Sequence, residues 1–228
     1  MFKLLSLRAI ATAGLILVTS SLLAAPGTQY RVTITNITKA QTFTPQLVVT
    51  HREGVALFRL GRPASNGLSI LAEDGDTGAL STELSGLANG AATPQTIGGL
   101  LAPGASASIV VSPTRFQTHL SVAAMLIPTN DTFMAVRSVR LQARNQRVVF
   151  APAYDSGTEA NDQNCRNIPG PRCQGVGNSP GTNVGDEGYV HIGNGFHELA
   201  PNVAGDILSP LTYDWRNPVA EIIVERIR

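Results

Sequence analysis

The sequence is poor in charge. Asp, Glu, Lys and Arg make up 14% of its 228 residues, against roughly 25% in an average soluble domain. No block of basic residues occurs and the formal net charge is +1, which excludes nucleic-acid binding by bulk electrostatics. High net charge with low hydrophobicity, the mark of disorder, is also missing, because 43% of the residues are hydrophobic. Aromatics are scarce at 5%, and there are two cysteines. The longest apolar run, Ala9–Val18, is interrupted by Thr19, Ser20 and Ser21, short of the ~20 residues that span a bilayer. Chemistry-bearing motifs are absent as well. There is no G-x-S-x-G nucleophile turn and no HExxH, and the Gly-rich GVGNSPG lacks the Lys of a phosphate loop.

Turn formers are plentiful: 22 Gly and 14 Pro argue for many short connections rather than long helices. The N-terminus carries an address. Lys3 and Arg8 precede the apolar run, and Ala24-Ala25 supply small residues before Pro26, the pattern of a secretory signal peptide. Residues 1–25 are therefore expected to be removed, leaving one domain over 26–228. Without Lys3 and Arg8, 15 of the 17 basic residues remain against 16 acidic ones. No other segment is apolar enough to span a membrane, so the expected location is periplasmic or extracellular. Export permits a disulfide. Cys165 and Cys173 flank RNIPGPR, whose Pro and Gly can fold the two thiols together. The rival, a metal or redox pair, matches no zinc or thioredoxin spacing.

The chain reads as all-β. Tyr30, Val32 and Ile34 alternate with Arg31, Thr33 and Thr35, a half-buried strand. Further β-rich runs are Gln46–His51, Val55–Leu60, Ser106–Ser112, His119–Ile127, Phe133–Ala143, Arg147–Ala153, Gly188–Ile192 and Val219–Arg228. One helix is expected over Ser65–Glu73, capped by Ser65 and stopped by Gly75, and a second short turn within Thr77–Leu87. Many strands with little helix indicate an antiparallel β-sandwich.

The acidic residues form the main candidate site. A hairpin turning at Asn145-Gln146 would pair residues whose numbers sum to about 291, setting 155 near 136 and 131 near 160. Asp131, Asp155, Glu159 and Asp162 then gather at one end. Carboxylates held together repel unless a cation joins them, and Ca²⁺ takes six to eight oxygens. Mg²⁺ prefers tighter octahedral geometry. Solvated loop acids are the plain alternative. Paired carboxylates also permit a glycosidase, which needs a cleft and one carboxyl of raised pKa. Tyr154 and Trp215 could stack on a sugar or simply pack. His191 and His197, with Glu198, form a weaker zinc candidate.

AAMLIPTNDTFMAV and APAYDSGTEAND together resemble the signature of the spondin domain, the N-terminal module of the F-spondin and mindin matrix proteins. The opening YRVTITN and the closing AEIIVERIR are similar too. The resemblance implies an eight-stranded antiparallel sandwich like the synaptotagmin-type calcium module. It also implies one Ca²⁺ on the two acidic motifs, with Asp131 and Asp155 as the leading ligands and Glu159 as the third acidic position. Thr132-Phe133 replaces the Trp of many animal members. The length suits a stand-alone, bacterial-looking member without reeler or thrombospondin repeats. The expected function is a secreted, calcium-binding, non-enzymatic adhesion or ligand-binding module, its partner an extracellular or envelope protein or glycan. The alternatives are an exported carboxylate-dependent hydrolase and a metal-free structural envelope protein.

Overall fold

Alternation along the first and last strands builds one half of the molecule. The computed structural model describes residues 27–142, 146–177, 184–198 and 204–228. The expected signal peptide, 1–25, lies outside the described residues, as do Asn145 and residues 178–183 and 199–203. Strand β1 (Tyr30–Asn36) buries Tyr30, Val32 and Ile34. Near the C-terminus, β11 (Ala220–Arg226) opposes it antiparallel, setting Val32 against Val224 and Ile34 against Ile222. Two more strands, β5 (Ser106–Val111) and β8 (Gln146–Ala151), complete a four-stranded sheet in the order β5-β1-β11-β8.

The second sheet has seven strands. In chain order they are β2 (Thr42–Phe43), β3 (Gln46–His51), β4 (Ala92–Ile97), β6 (His119–Ile127), β7 (Thr132–Arg140), β9 (Ala153–Asp155) and β10 (His191–Ile192). Six of them run β10-β9-β7-β6-β3-β4, and β2 pairs with β6. All β-ladders between these strands are antiparallel. The expected β-sandwich is present. Among the described residues eleven strands form, eight of them six residues or longer.

The seven-stranded sheet is covered on both faces. Leu120, Val122, Ala124 and Leu126 of β6 point into the core shared with Val32, Ile34 and Ile222. Ala123, with Leu47, Val49, Phe133 and Ala135, packs beneath helices α1 (Asn66–Asp74) and α2 (Gly78–Ser85). This explains why all nine residues of β6 are buried and why Val122–Ile127 reads as a continuous apolar run rather than an alternating one. The α1 ends are as expected. Leu68 N donates to the Ser65 hydroxyl at 3.2 Å, and Gly75 closes the helix at φ 71°. A β-carbon at Gly75 would lie 2.4 Å from Thr44. Glu83 of α2 accepts from Gly67 N (2.6 Å) and the Ser65 hydroxyl (2.7 Å), placing negative charge at the α1 N-terminus, where free N–H groups favour it. A third helix, α3 (Pro210–Tyr213), is one turn long.

Three segments differ from expectation. Val55–Leu60 is a loop, whose Leu57 and Phe58 plug the helical layer. Residues 92–97 are a strand despite Pro94, because β4 lies at a sheet edge, where a missing N–H is tolerated. The expected hairpin of Phe133–Ala143 with Arg147–Ala153 does not form as one pair. β8 crosses to the other sheet and pairs with β11, Gln146 opposite Glu225 through Ala151 opposite Ala220. Pro152, unable to donate to a ladder, separates β8 from β9, which returns to β7.

Leu71 is fully buried between α1 and the sheet. Leu71→Ala should therefore cost about 2–5 kcal/mol in urea unfolding, without loss of β-sheet circular dichroism under native conditions.

Candidate metal centre at the acidic loops

The β6–β7 turn and the end of β9 carry the two acidic motifs. In the β7–β9 ladder Asp155 stands opposite Thr132, the neighbour of Asp131, rather than near residue 136. The two carboxylates still converge, because β9 restores by a second crossing the adjacency expected of a simple hairpin.

Local geometry then fixes each side chain. Thr129 accepts from Thr132 N at 3.2 Å and donates to the Leu126 carbonyl at 2.5 Å, closing the turn before Asp131. Asp155 Oδ1 accepts from Gly157 N at 2.8 Å, and Gly157 takes the left-handed conformation at φ 66°. That bend turns successive N–H groups inward, a backbone nest for an anion. The anion is Asp131. Its Oδ2 accepts from Thr158 N (2.8 Å), Glu159 N (3.1 Å) and the Ser156 hydroxyl (2.9 Å). Its Oδ1 is buried and has no hydrogen-bond partner among the described residues. Asp155 Oδ2 accepts from Asn161 at 2.8 Å.

Asp131, Asp155 and Glu159 are all buried. Asp162 is held differently. Its oxygens accept from Asn130 Nδ2 (3.0 Å), Asn164 N (2.9 Å) and Asn167 Nδ2, so it braces the loop that leads to the disulfide. Cys165 and Cys173 are bonded, as expected.

Three further residues join the cluster. His191 lies opposite Asp155 in the β9–β10 ladder, with Nε2 3.4 Å from Asp155 Oδ1 and 3.6 Å from Glu187 Oε2. Glu73, near the end of α1, is 4% exposed and close enough to the Thr158 side chain to be influenced by it. Of the histidine pair expected for zinc, His191 alone has a ring nitrogen within the Asp155–Glu187 group. His197 is exposed, and its backbone N–H donates to Gln163. The ligand atoms of Asp155, Glu187 and His191 lie within 4.8 Å of one another. A cleft of about 100 Å³ opens beside Asp155, lined by Thr132, Asn161, Glu187 and His197. Only His191 was visible as a candidate in the sequence. A lone Glu at a helix end and another in a Gly-rich loop carry no periodic signal.

The electrostatics follow from burial. Burial raises the Asp155 carboxyl to about 7, reinforced by the charge of Asp131 and opposed by the Asn161 hydrogen bond and by His191. Burial likewise raises Glu73 to about 7, and Asp131 and Asp74 add to the shift. Asp131 is raised too, first by burial, against the donors on its Oδ2. At His191 burial opposes the charged ring, but the Ile192 carbonyl, Asp155 and Glu187 outweigh it and hold the pKa above its ordinary value.

A hydrolase would find its raised carboxyl here. The cleft, however, is well below the roughly 300–1,000 Å³ of small-molecule sites. Tyr154 packs on Phe58 and Phe133, and Trp215 on Phe196, so both serve the core.

Two outcomes follow. Asp155 and Glu73 keep protons in the folded state that the unfolded chain releases at lower pH. Without metal, stability should therefore fall as pH rises from about 4 through 7. The raised His191 works in the same direction, its contribution being lost as pH rises through its folded value. Melting in chelator from about pH 5 to 8 should show a falling Tm; a rising one would contradict the assignment. Gly157→Ala would set a β-carbon 2.3 Å from the Tyr189 carbonyl oxygen at a positive φ. It should cost at least about 1–3 kcal/mol in denaturant unfolding.

The Spondin_N family model matches residues 30–161, more than half of the chain. No curated protein matches. The family's domain is an extracellular, non-enzymatic module, and the Cys165–Cys173 disulfide fits a secreted protein. No helix among the described residues is long and apolar enough to cross a membrane. The matched segment runs from β1 through the acidic loop after β9, and the chain belongs to the spondin N-terminal domain family.

Proposed function

We propose that the chain is an exported, calcium-stabilised adhesion or ligand-binding module: a signal peptide over 1–25 and one domain over 26–228. The carrying observation is Asp131 Oδ1, a buried carboxylate oxygen without a hydrogen-bond partner among the described residues, in a cluster of acids whose pKa values rise. Such an atom costs about 1–3 kcal/mol or more when left unsatisfied. A bound cation removes that cost and the repulsion together.

The donor set fits Ca²⁺. Asp131 Oδ1 and Asp155 would supply buried carboxylates, Glu187 stands beside Asp155, Glu159 is the third acid of the motif, and the cleft beside Asp155 has room for waters. Calcium tolerates such mixed, irregular oxygen shells. When bound, the ion supplies positive charge that joins the β6–β7 turn to the β9 loop. Asp131 holds the Thr158–Glu159 nest and Asp155 holds Gly157, so this chain's own residues already shape the two loops. Asp162 braces the loop beyond. An extracellular or envelope protein or glycan is the partner, met at these loops.

One observation favours a second reading at the same place. His191 offers a nitrogen beside Asp155 and Glu187, and imidazole suits Zn²⁺ better than Ca²⁺.

The test is calorimetric titration and melting of the mature domain with each ion in turn. Saturating Ca²⁺, at about 100 times Kd, adds about 2.7 kcal/mol, or roughly 5–10 °C in Tm for a domain of this size. Asp131→Asn and Asp155→Asn should each abolish most of that increment while leaving the metal-free Tm unchanged or higher, because each removes a buried charge. Absence of heat and of any Tm shift would sink the calcium reading. A larger response to Zn²⁺, lost on His191→Ala, would select the second.

A further inference from the structure

A second feature lies outside the acidic loops. The loop after β3 and the β6–β7 ladder enclose an open cleft of about 750 Å³. Three arginines line it, Arg59, Arg62 and Arg137, together with Phe58, Ser121 and Ser138; no carboxylate does. All three arginines are exposed, and none takes part in an ion pair with a described residue. Elsewhere Arg31, Arg172 and Arg216 are each matched by an acid. The concentration of charge is local, since the whole chain is nearly neutral.

The cleft is built rather than incidental. The β6–β7 register shifts between Leu120, opposite Val139, and Val122, opposite Val136, so Arg137 and Ser138 both face Ser121. This is a β-bulge, a device that re-aims side chains. Ser138 sits at φ 54°, a conformation costing a non-glycine residue about 1–3 kcal/mol. It is held there by its N–H, which donates to the Ser121 hydroxyl at 2.9 Å. Ser121 is in turn 2.8 Å from His51 Nε2. The Arg137 guanidinium stands over Phe58 at 5.2 Å and Tyr154 at 5.7 Å, which fixes its position. Opposite, Gly61 N donates to the Val190 carbonyl (2.8 Å) and Val190 N to the Arg62 carbonyl (2.9 Å). Both walls are thus anchored before any ligand arrives.

We propose that this cleft binds a small ligand carrying two or more phosphate or sulfate groups. Guanidinium forks match such oxyanions bidentately. A single charge in water gains little from one exposed arginine, whereas a compact polyanion meets three at once. The volume falls in the range of small-molecule sites. The inference does not depend on the metal centre.

The test is titration in metal-free buffer with two probes, inositol hexakisphosphate and sucrose octasulfate. One-site binding that weakens with salt is expected for at least one probe. Preference between them identifies the ester class. Arg59→Ala combined with Arg62→Ala should weaken binding about tenfold or more, as should Arg137→Ala. Arg31→Ala, on the other sheet, should leave it unchanged. The Arg59/Arg62 variant alters only exposed loop side chains, so it decides the matter even if Arg137→Ala destabilises the fold. Absence of saturable binding by either probe, an equal loss in Arg31→Ala, or equally tight binding of hexaglutamate would overturn the proposal.

Discussion

The buried carboxylate of Asp131 is the contact on which the functional end of this molecule depends. One of its oxygens accepts the Thr158 and Glu159 N–H groups and the Ser156 hydroxyl. These bonds fasten the β9 loop to the β6–β7 turn across the end of the sheet. They also fix the charge problem, because they hold an acid in the interior beside Asp155 and near Glu73 and Glu187. The three donors favour the ionised form of Asp131; burial and neighbouring acids oppose it. The proposed cation would relieve that opposition.

The rest of the architecture serves this arrangement. Covering the seven-stranded sheet on both faces brings α1 over the end of β7, and with it Glu73 to Thr158. The crossing of β8 to the other sheet and the return of β9 after Pro152 set Asp155 next to Asp131 and leave an edge of β9 for β10, which delivers His191. The acidic centre and the arginine cleft are neighbours through the same elements. Tyr154 precedes Asp155 and lies under Arg137, and Val190 precedes His191 and anchors the Arg59–Arg62 loop. An acidic centre and a basic cleft are therefore built along the same strand, β7.

The sequence was most legible where a periodic pattern met a simple environment. β1 and β11 alternate because one face is solvated, and Ser65 and Gly75 bound α1 through their own backbone chemistry. The pairing of the two acidic motifs was visible because they flank strands that meet, although the register differed by four residues. The chain's switch between sheets leaves no local mark other than Pro152. The run at Val55–Leu60 misled because Leu57 and Phe58 are apolar for the helical layer, not for a strand. Glu73 and Glu187 were invisible for a related reason. Their importance comes from tertiary burial against Asp131 and Asp155, which neither spacing nor composition encodes. The arginine cleft likewise rests on a bulge at Ser138 that no sequence period announces.

The proposed function rests on a divalent cation bridging the Asp131 and Asp155 loops. A crystal structure of the calcium-saturated domain, with anomalous difference density measured at long wavelength, tests it most directly. One strong peak is expected within coordination distance of Asp131 Oδ1 and of an Asp155 oxygen. Density for an ordered ion elsewhere, with none between these two carboxylates, would contradict it.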